Sequence, residues 1–327
     1  MKKQWKEVFA AAILGLILPR VMLSVDISGQ SLQKPETTQA ATTLPTEKQQ
    51  TLNESIYIPV QAADGKVKTI KLEEYTLGVL LAEMPASFEL EALKAQAVAA
   101  RTYALRRMSL QDKHRNSVCT DSTCCQAYVS REAYLKNGGN RADVAKVSQA
   151  VRETAGMVLT YEGQLAETTY FSCSGGRTED ALAVWGTQIA YLQAVDSPGE
   201  ENAKYYTGST FFSAEEFCRA LGRNLEGSPD SWLGKVAYTD GGGVDMMFIG
   251  GISYPGIQLR QLLELNSTAF AMKAEKGGIT VTTRGKGHRV GMSQYGAEAM
   301  AVAGGSYQQI LSHYYPGTEI DKLSDIE

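Results

Sequence analysis

The sequence has no surplus of basic charge: Lys and Arg number 32 against 36 Asp and Glu, a formal net charge of −4. That balance removes the electrostatic case for nucleic acid as a partner. It is indifferent to a neutral carbohydrate. No internal repeat occurs, so a solenoid or propeller is excluded. Strands and helices do not alternate strictly, which argues against a doubly wound parallel sheet and for an α+β fold. What the chain does have is bulk. Its 327 residues are 43% hydrophobic, enough to bury one large core or two smaller ones.

Lys2, Lys3 and Lys6 precede an apolar run from Val8 to Leu18, which resumes after Pro19 and Arg20 as far as Val25. Read as one segment of roughly 18 residues, it is just long enough to span a bilayer. The basic residues before it favour a cytoplasmic N-terminus, with the remainder outside. Arg20, near the outer end, can snorkel to the interface. No clear small-x-small cleavage site follows, so a retained anchor is preferred to a cleaved signal peptide; both export the body. Residues 26–55 are rich in Thr, Gln, Ser, Lys and Glu and poor in large apolar side chains. Such a stretch cannot fold by itself and reads as a tether. The expected organisation is a cytoplasmic stub and membrane anchor (1–25), a tether (26–55) and a folded body (56–327). The expected location is the cell membrane, single-pass, with the body outside the cytoplasm.

Within the body, Ile56–Val60 and Val67–Lys71 flank Asp64-Gly65 and predict a hairpin. A helix is expected from Leu72 to Ala82, stopped near Met84 because Pro85 disfavours helical geometry in the residue before it. A second helix is expected from Phe88 to Leu110, capped by Ser87. Its many alanines allow close packing. Met157–Tyr161 and Leu165–Ser172 suggest another hairpin around Glu162-Gly163. Helices are expected over Phe212–Leu221, Leu259–Leu265, Gln294–Val302 and Tyr307–His313, and a strand over Ile279–Thr283.

Five constellations could carry chemistry. Glu83 lies at a helix C-terminus, where the dipole disfavours a carboxylate by only about 0.3–1 kcal/mol. Partial burial would raise its pKa further, toward what a general acid needs; an ordinary helix-end Glu is the competing reading. Lys94 and Arg101 share a helix face two turns apart and form either a ligand-binding pair or a solvated basic stripe. His114, Cys119, Cys124 and Cys125 cluster at spacings that suit tetrahedral zinc but match no common zinc finger. A disulfide is the alternative outside the membrane, although three clustered cysteines leave one over, and free thiols are a further reading. Ser172-Cys173-Ser174-Gly175-Gly176-Arg177-Thr178 has hydroxyls and glycines that let backbone approach a ligand, or makes a plain turn. Gly285-Lys286-Gly287-His288, continuing to Ala297, is turn-rich, and His288 is either a site residue or a structural histidine. Cys173 and Cys218 are partners or core residues.

These segments, in this order, resemble the stage II sporulation protein D family. The resemblance is carried by Glu74–Pro85, Glu91–Ala104, the Cys/His cluster ending at Tyr128, Tyr170–Arg177, Val184–Gly186 and His288–Ala297. It covers roughly Ile56 to the C-terminus. It implies an α+β domain whose curved β-sheets form a substrate groove. It further implies a lytic transglycosylase acting in engulfment during sporulation. Such an enzyme cleaves peptide-free peptidoglycan strands between N-acetylmuramic acid and N-acetylglucosamine and leaves 1,6-anhydro ends. The family's catalytic Glu falls on Glu83 and its essential Arg on Arg101. Its hydroxyl-rich turn falls on Ser172 and Ser174. Its Tyr/Lys stretch after a Ser-Pro pair falls near Lys204, Tyr205 and Tyr206. Lys94, Tyr206 and His288 complete the expected substrate-binding set. Some members bind zinc through a Cys/His cluster, and Cys124 stands where His is expected in others. One structural Zn2+ on His114, Cys119, Cys124 and Cys125 is therefore expected, with no cofactor in the chemistry. Implied partners are glycan strands, an amidase that removes stem peptides and a membrane scaffold protein. Relatives include amidase enhancers, so a non-catalytic wall-binding module is the leading alternative. A zinc hydrolase and a scaffold are the others.

Overall fold

Asp64 and Gly65 turn the chain between two antiparallel strands, β1 (Tyr57–Gln61) and β2 (Val67–Lys71). Gly65 takes a φ of 80° there, in the left-handed region where glycine alone is unpenalised. The computed structural model describes residues 56–110, 114 and 116–326. The expected anchor and tether lie outside these residues. Among the described residues no helix is long and apolar enough to cross a membrane.

Helix α1 (Leu72–Glu83) follows β2 directly. It ends where expected: Met84 is extended, as the residue before Pro85 should be. Helix α2 (Leu90–Ser109) is the axis of the main core. Ala92, Ala95, Ala97, Ala99, Ala100 and Ala104 are all fully buried, and their small side chains let neighbours close in from several directions. Its expected cap, Ser87, does not serve. The helix starts later, with Glu89 at the N-cap position, and the Glu89 N–H donates to Glu298 Oε2 at 2.6 Å. A carboxylate from a distant helix thus occupies the positive end of the dipole.

The chain continues through β3 (Val118–Cys119), which adds parallel to β1. Two helices follow, α3 (Arg131–Lys136) and α4 (Arg141–Glu153), that sequence patterning had not suggested. Strand β4 (Met157–Tyr161) turns at Glu162 and Gly163, both at positive φ, into β5 (Gln164–Leu165). The expected long return strand breaks there. Tyr170 and Phe171 form a separate strand, β6, with a different partner. A short helix, α5 (Ala181–Trp185), follows.

Residues 207–284 build a second core. Strand β7 (Thr207–Ser213) leads into α6 (Ala214–Leu221), whose capping box pairs Ser213 with Glu216. Strands β8 (Leu233–Tyr238), β9 (Val244–Ile249) and β10 (Ile252–Pro255) form one antiparallel sheet. After α7 (Gly256–Leu262), β11 (Phe270–Glu275) and β12 (Gly278–Arg284) join β7 in another. Phe217 stacks on Trp232 between the sheets, ring centroids 6.1 Å apart. The body expected as one domain thus contains two hydrophobic clusters. The junction is ionic. Arg289 and Glu179, both buried, pair at 3.1 Å, and Arg289 Nη2 donates to the Gly241 carbonyl at 2.7 Å.

The chain then returns to the first core. Strand β13 (Met292–Ser293) pairs parallel with β6. Helices α8 (Gln294–Val302) and α9 (Tyr307–Tyr314) pack on α2, and β14 (Glu319–Lys322) closes the β4–β5 sheet. The fold is α+β as expected. Its sheets have two or three strands each.

Candidate active site

Glu83 is the last residue of α1, and its surroundings are set by a strip of chain laid against that helix. The strip approaches closely because position 78 is glycine. A Cβ there would lie 2.3 Å from Tyr128 Cε2 and 2.8 Å from the Val129 carbonyl oxygen. Val129 N–H donates to the Gly78 carbonyl at 3.2 Å, and Tyr128 stacks on Tyr75 with centroids 5.6 Å apart. Tyr75 in turn donates its hydroxyl to Gln126 Oε1, and Gln126 Nε2 donates to Tyr170 Oη. Held at both ends, the strip presents the Ala127 N–H to Glu83 Oε1 at 2.7 Å.

Glu83 is half-buried and opens onto a cleft of about 410 Å³, within the roughly 300–1,000 Å³ usual for small-ligand sites. The walls include Tyr103, Arg107, Tyr170, Ser172, Trp185, Lys286 and His288, with the loop Ser122–Cys125 along one side. Among the described lining residues Glu83 is the only carboxylate. Burial pushes its pKa above the ordinary carboxylate value, against the lowering effect of the Ala127 N–H and the Gln294 amide. Gln294 Nε2 is buried and makes no hydrogen bond of normal geometry, so it influences Glu83 by proximity.

His288 is held as a neutral ring. Burial lowers its pKa to about 4. Its Nδ1 accepts the Val290 N–H at 3.1 Å, and the backbone of Tyr170 engages the ring from the other side. Phe171 and Trp185 pack on it, with centroids 5.7 and 5.3 Å away. Held this way, His288 forms part of the cleft wall.

Ser172 and Ser174 part company. Ser172 is half-buried on the cleft wall. Ser174 is fully buried and donates its hydroxyl to Glu200 Oε1 at 2.8 Å. Glu200 also takes the Ser174 and Gly175 N–H groups, the Cys173 thiol and the Ser197 hydroxyl. The turn expected to meet substrate at Ser174 is instead built around this carboxylate.

Arg101 and Lys94 also differ from expectation. Arg101 is fully buried. Its Nε and Nη2 grip Glu73 at 3.0 and 2.6 Å, and Nη1 donates to the Met157 carbonyl at 3.0 Å. It clamps the start of α1 to α2 and β4 and does not line the cleft. Lys94 is consumed by ion pairs to Glu91 and Glu153 at 2.7 and 2.6 Å, also outside the cleft lining. Tyr206 sits by the Gly176 turn, and its carbonyl accepts the Gly285 N–H; it is not a lining residue either. Tyr205 beside it is the one that meets Lys286, whose Nζ lies 3.8 Å from the ring centroid.

His114, Cys119, Cys124 and Cys125 place one donor atom each within 4.8 Å of one another. His114 Nε2 and Cys124 Sγ are 3.0 Å apart. Three sulfurs and one imidazole at that separation suit the four-coordinate geometry of a closed zinc site, with Zn–S near 2.3 Å and Zn–N near 2.0 Å. All five cysteines are unbridged. Cys173 meets Glu200, whereas Cys218 packs on the second core. Cys124 and Cys125 are themselves part of the cleft wall.

Ala127, Gln294 and Trp185 were not legible as site residues. A backbone N–H leaves no side-chain signature. Gln294 and Trp185 did lie inside segments that carried the family resemblance.

Fold and site together define a class: an α+β protein with one perturbed carboxyl group at a helix end and a thiol–imidazole cluster in the wall beside it. The family model described as Stage II sporulation protein matches residues 61–161. The chain is 41% identical over 304 residues to Stage II sporulation protein D of Bacillus subtilis (strain 168), covering 90% of this chain and 88% of that protein. It is 40% identical over 280 residues to the protein of the same name from Bacillus amyloliquefaciens, covering 83% and 81%. A Bacillus subtilis protein named Amidase enhancer is 31% identical over 296 residues, which cover 74% of this chain and 40% of that one. The chain belongs to the stage II sporulation protein D family.

Proposed function

We propose that the chain is a lytic transglycosylase that cleaves peptide-free glycan strands of peptidoglycan during engulfment. The observation that carries this reading is Glu83: a single half-buried carboxyl group, its pKa raised, facing a sugar-sized cleft. Glycosidases that activate water use two acids. A transglycosylase needs one. Protonated Glu83 donates to the glycosidic oxygen as the C1–O bond of the muramic residue breaks. The resulting carboxylate then takes the proton of the same sugar's C6 hydroxyl as that oxygen bonds to C1. The anhydro ring closes, the acid is regenerated and no water is consumed. Ala127 N–H holds one carboxyl oxygen throughout, and Ser172 is placed to meet a sugar hydroxyl.

In this reading His114, Cys119, Cys124 and Cys125 hold one Zn2+. Its role is structural, since four protein donors leave no open position for substrate or water. An exported, membrane-anchored body would work beside an amidase that strips stem peptides and a membrane scaffold protein. The relative named Amidase enhancer supports a second reading, a wall-binding module that stimulates such an amidase without cutting glycan itself. The deciding experiment incubates purified protein with peptide-free strands and seeks anhydro-muramic ends by mass spectrometry. Cleavage that disappears in Glu83→Gln supports the first reading. Absence of anhydro ends, or their persistence in Glu83→Gln, overturns it.

A further inference from the structure

Two cationic side chains, Arg107 and Lys286, line the same cleft as Glu83. Besides Glu83, whose charge burial disfavours, its walls carry the cations Arg107 and Lys286, the neutral His288, the phenols Tyr103 and Tyr170 and the cluster cysteines Cys124 and Cys125. Arg107 is already engaged: its Nε donates to Tyr103 Oη at 3.1 Å, and its guanidinium lies over the Tyr103 ring. Lys286 is engaged only by Tyr205: its Nζ rests on that ring face and hydrogen-bonds the phenol, and no carboxylate among the described residues pairs with it.

The backbone at Lys286 is unusually fixed. Its N–H donates to the Cys173 carbonyl at 2.7 Å, and its carbonyl accepts the Cys173 N–H at 3.2 Å. Gly285 and Gly287 on either side have φ of 75° and 115°. A Cβ at Gly285 would fall 2.5 Å from the Cys173 carbonyl oxygen, and one at Gly287 would fall 2.8 Å from Phe171 Cβ. Lys286 is thus held on a rigid turn in the same cleft as Glu83, its ammonium against Tyr205 and keeping donors beyond that contact for a ligand.

We propose that Lys286 is a carboxylate-binding residue that reads the free lactyl carboxyl group of N-acetylmuramic acid. This rests on the glycan-cleavage reading above and adds the means of selection. In intact wall that carboxyl is tied up as the amide to the stem peptide and carries no charge. Removing the peptide exposes an anion, which Lys286 meets with a charge-assisted hydrogen bond. Preference for stripped strands then follows from charge as well as from room in the cleft.

The test uses the full-length Glu83→Gln chain, so that binding is read without turnover. Two ligands are compared by calorimetry: stripped strands, and the same strands after carbodiimide coupling to ammonia, which converts each lactyl carboxylate to a neutral carboxamide. Stripped strands are expected to bind about tenfold more tightly, with a preference that shrinks as salt rises. Lys286→Met should bring the two ligands level, and Lys286→Arg should keep most of the difference. Equal affinities in the parent chain, or a preference that survives Lys286→Met in protein of unchanged Tm, overturn the proposal. A parallel digest with Glu83 intact separates the two readings. Preference without anhydro products sinks the transglycosylase and leaves the carboxylate site standing; cleavage without preference does the reverse.

Discussion

The Ala127 N–H donates to Glu83 Oε1 at 2.7 Å, the one hydrogen bond of normal geometry among the described residues that steadies this carboxyl group. Burial works in the opposite direction, and burial dominates. An acid whose pKa is higher folded than unfolded binds its proton more tightly in the folded state. Stability is therefore greatest with Glu83 protonated, and it falls as pH rises through the folded value.

The first prediction follows from that sign. Glu83→Gln keeps an oxygen for the Ala127 N–H and removes the buried charge. Its Tm should exceed that of the parent at pH 8, and the gain should vanish about one unit or more below the ordinary carboxylate value, near pH 3, where the parent carboxyl is protonated both folded and unfolded. Each kcal/mol relieved corresponds to roughly 2–4 °C in a body of this size. Scanning calorimetry at the two pH values reads it directly. A gain that is the same at both values, or no gain at all, means Glu83 is not held out of water.

Gly78 should prove intolerant of any side chain. A methyl group there meets the Tyr128 ring and the Val129 carbonyl. The ring can turn, but the carbonyl belongs to backbone. Gly78→Ala should cost about 1–3 kcal/mol in urea unfolding, the usual scale of overpacking. It should also lift the strip that carries Ala127, remove a hydrogen bond that lowers the Glu83 pKa, and move the cleavage pH profile upward. Destabilisation with an unmoved profile would uncouple the strip from the carboxyl group.

Much of this arrangement was legible in the sequence, for identifiable reasons. The Glu83 position followed from Pro85, which ends α1, and from the apolar residues before it. The hairpin at Asp64-Gly65 and a helix over Phe212–Leu221 had local signals; the structure carries both, the helix starting at Ala214 because Phe212 and Ser213 close β7. What failed were readings that needed tertiary partners. Ser87 looked like a cap, but Glu298 from α8 fills that place. Residues 165–172 looked like one strand, yet Tyr170 and Phe171 pair with Met292 and Ser293. Strands β8 and β9 alternate only partly, because Gly234 and the irregular β8–β9 register interrupt the pattern. Arg101 was expected among the substrate-binding residues because the family resemblance places an essential Arg there, while spacing alone left open a solvated basic stripe. Nothing in spacing shows that Glu73, on another helix, already occupies it.

That misplacement makes Arg101 a clean test of position against contact. A fully buried guanidinium holding a carboxylate and a carbonyl is structural. Arg101→Ala should lose about 3–5 kcal/mol by leaving Glu73 uncompensated. Arg101→Lys should recover only part of this, since an ammonium cannot reproduce the two-pronged grip. Chemical denaturation of both variants, with Glu73→Gln as the partner control, measures this. If Arg101→Ala kept parental stability while losing all activity, the residue would belong with the substrate after all.

Metal removal tests how the thiol–imidazole cluster serves Glu83. Cys125 lies two positions before Ala127 in the chain, so whatever fixes the cluster fixes the donor of the Glu83 hydrogen bond. If zinc fills the site, stripping it with a strong chelator should lower Tm and slow cleavage together, and Cys119→Ser should do the same. Cobalt in its place should give the visible absorption of a tetrahedral ion with thiolate ligands and restore activity with the pH profile unshifted. A metal that activated water would impose its own pKa on the rate, and exchanging zinc for cobalt would move the profile. A profile that moves with the metal makes the cluster the reactive centre. Thiols that fail to titrate after chelation make it a disulfide. Cleavage and Tm that survive chelation of a metal-loaded sample remove the structural role altogether.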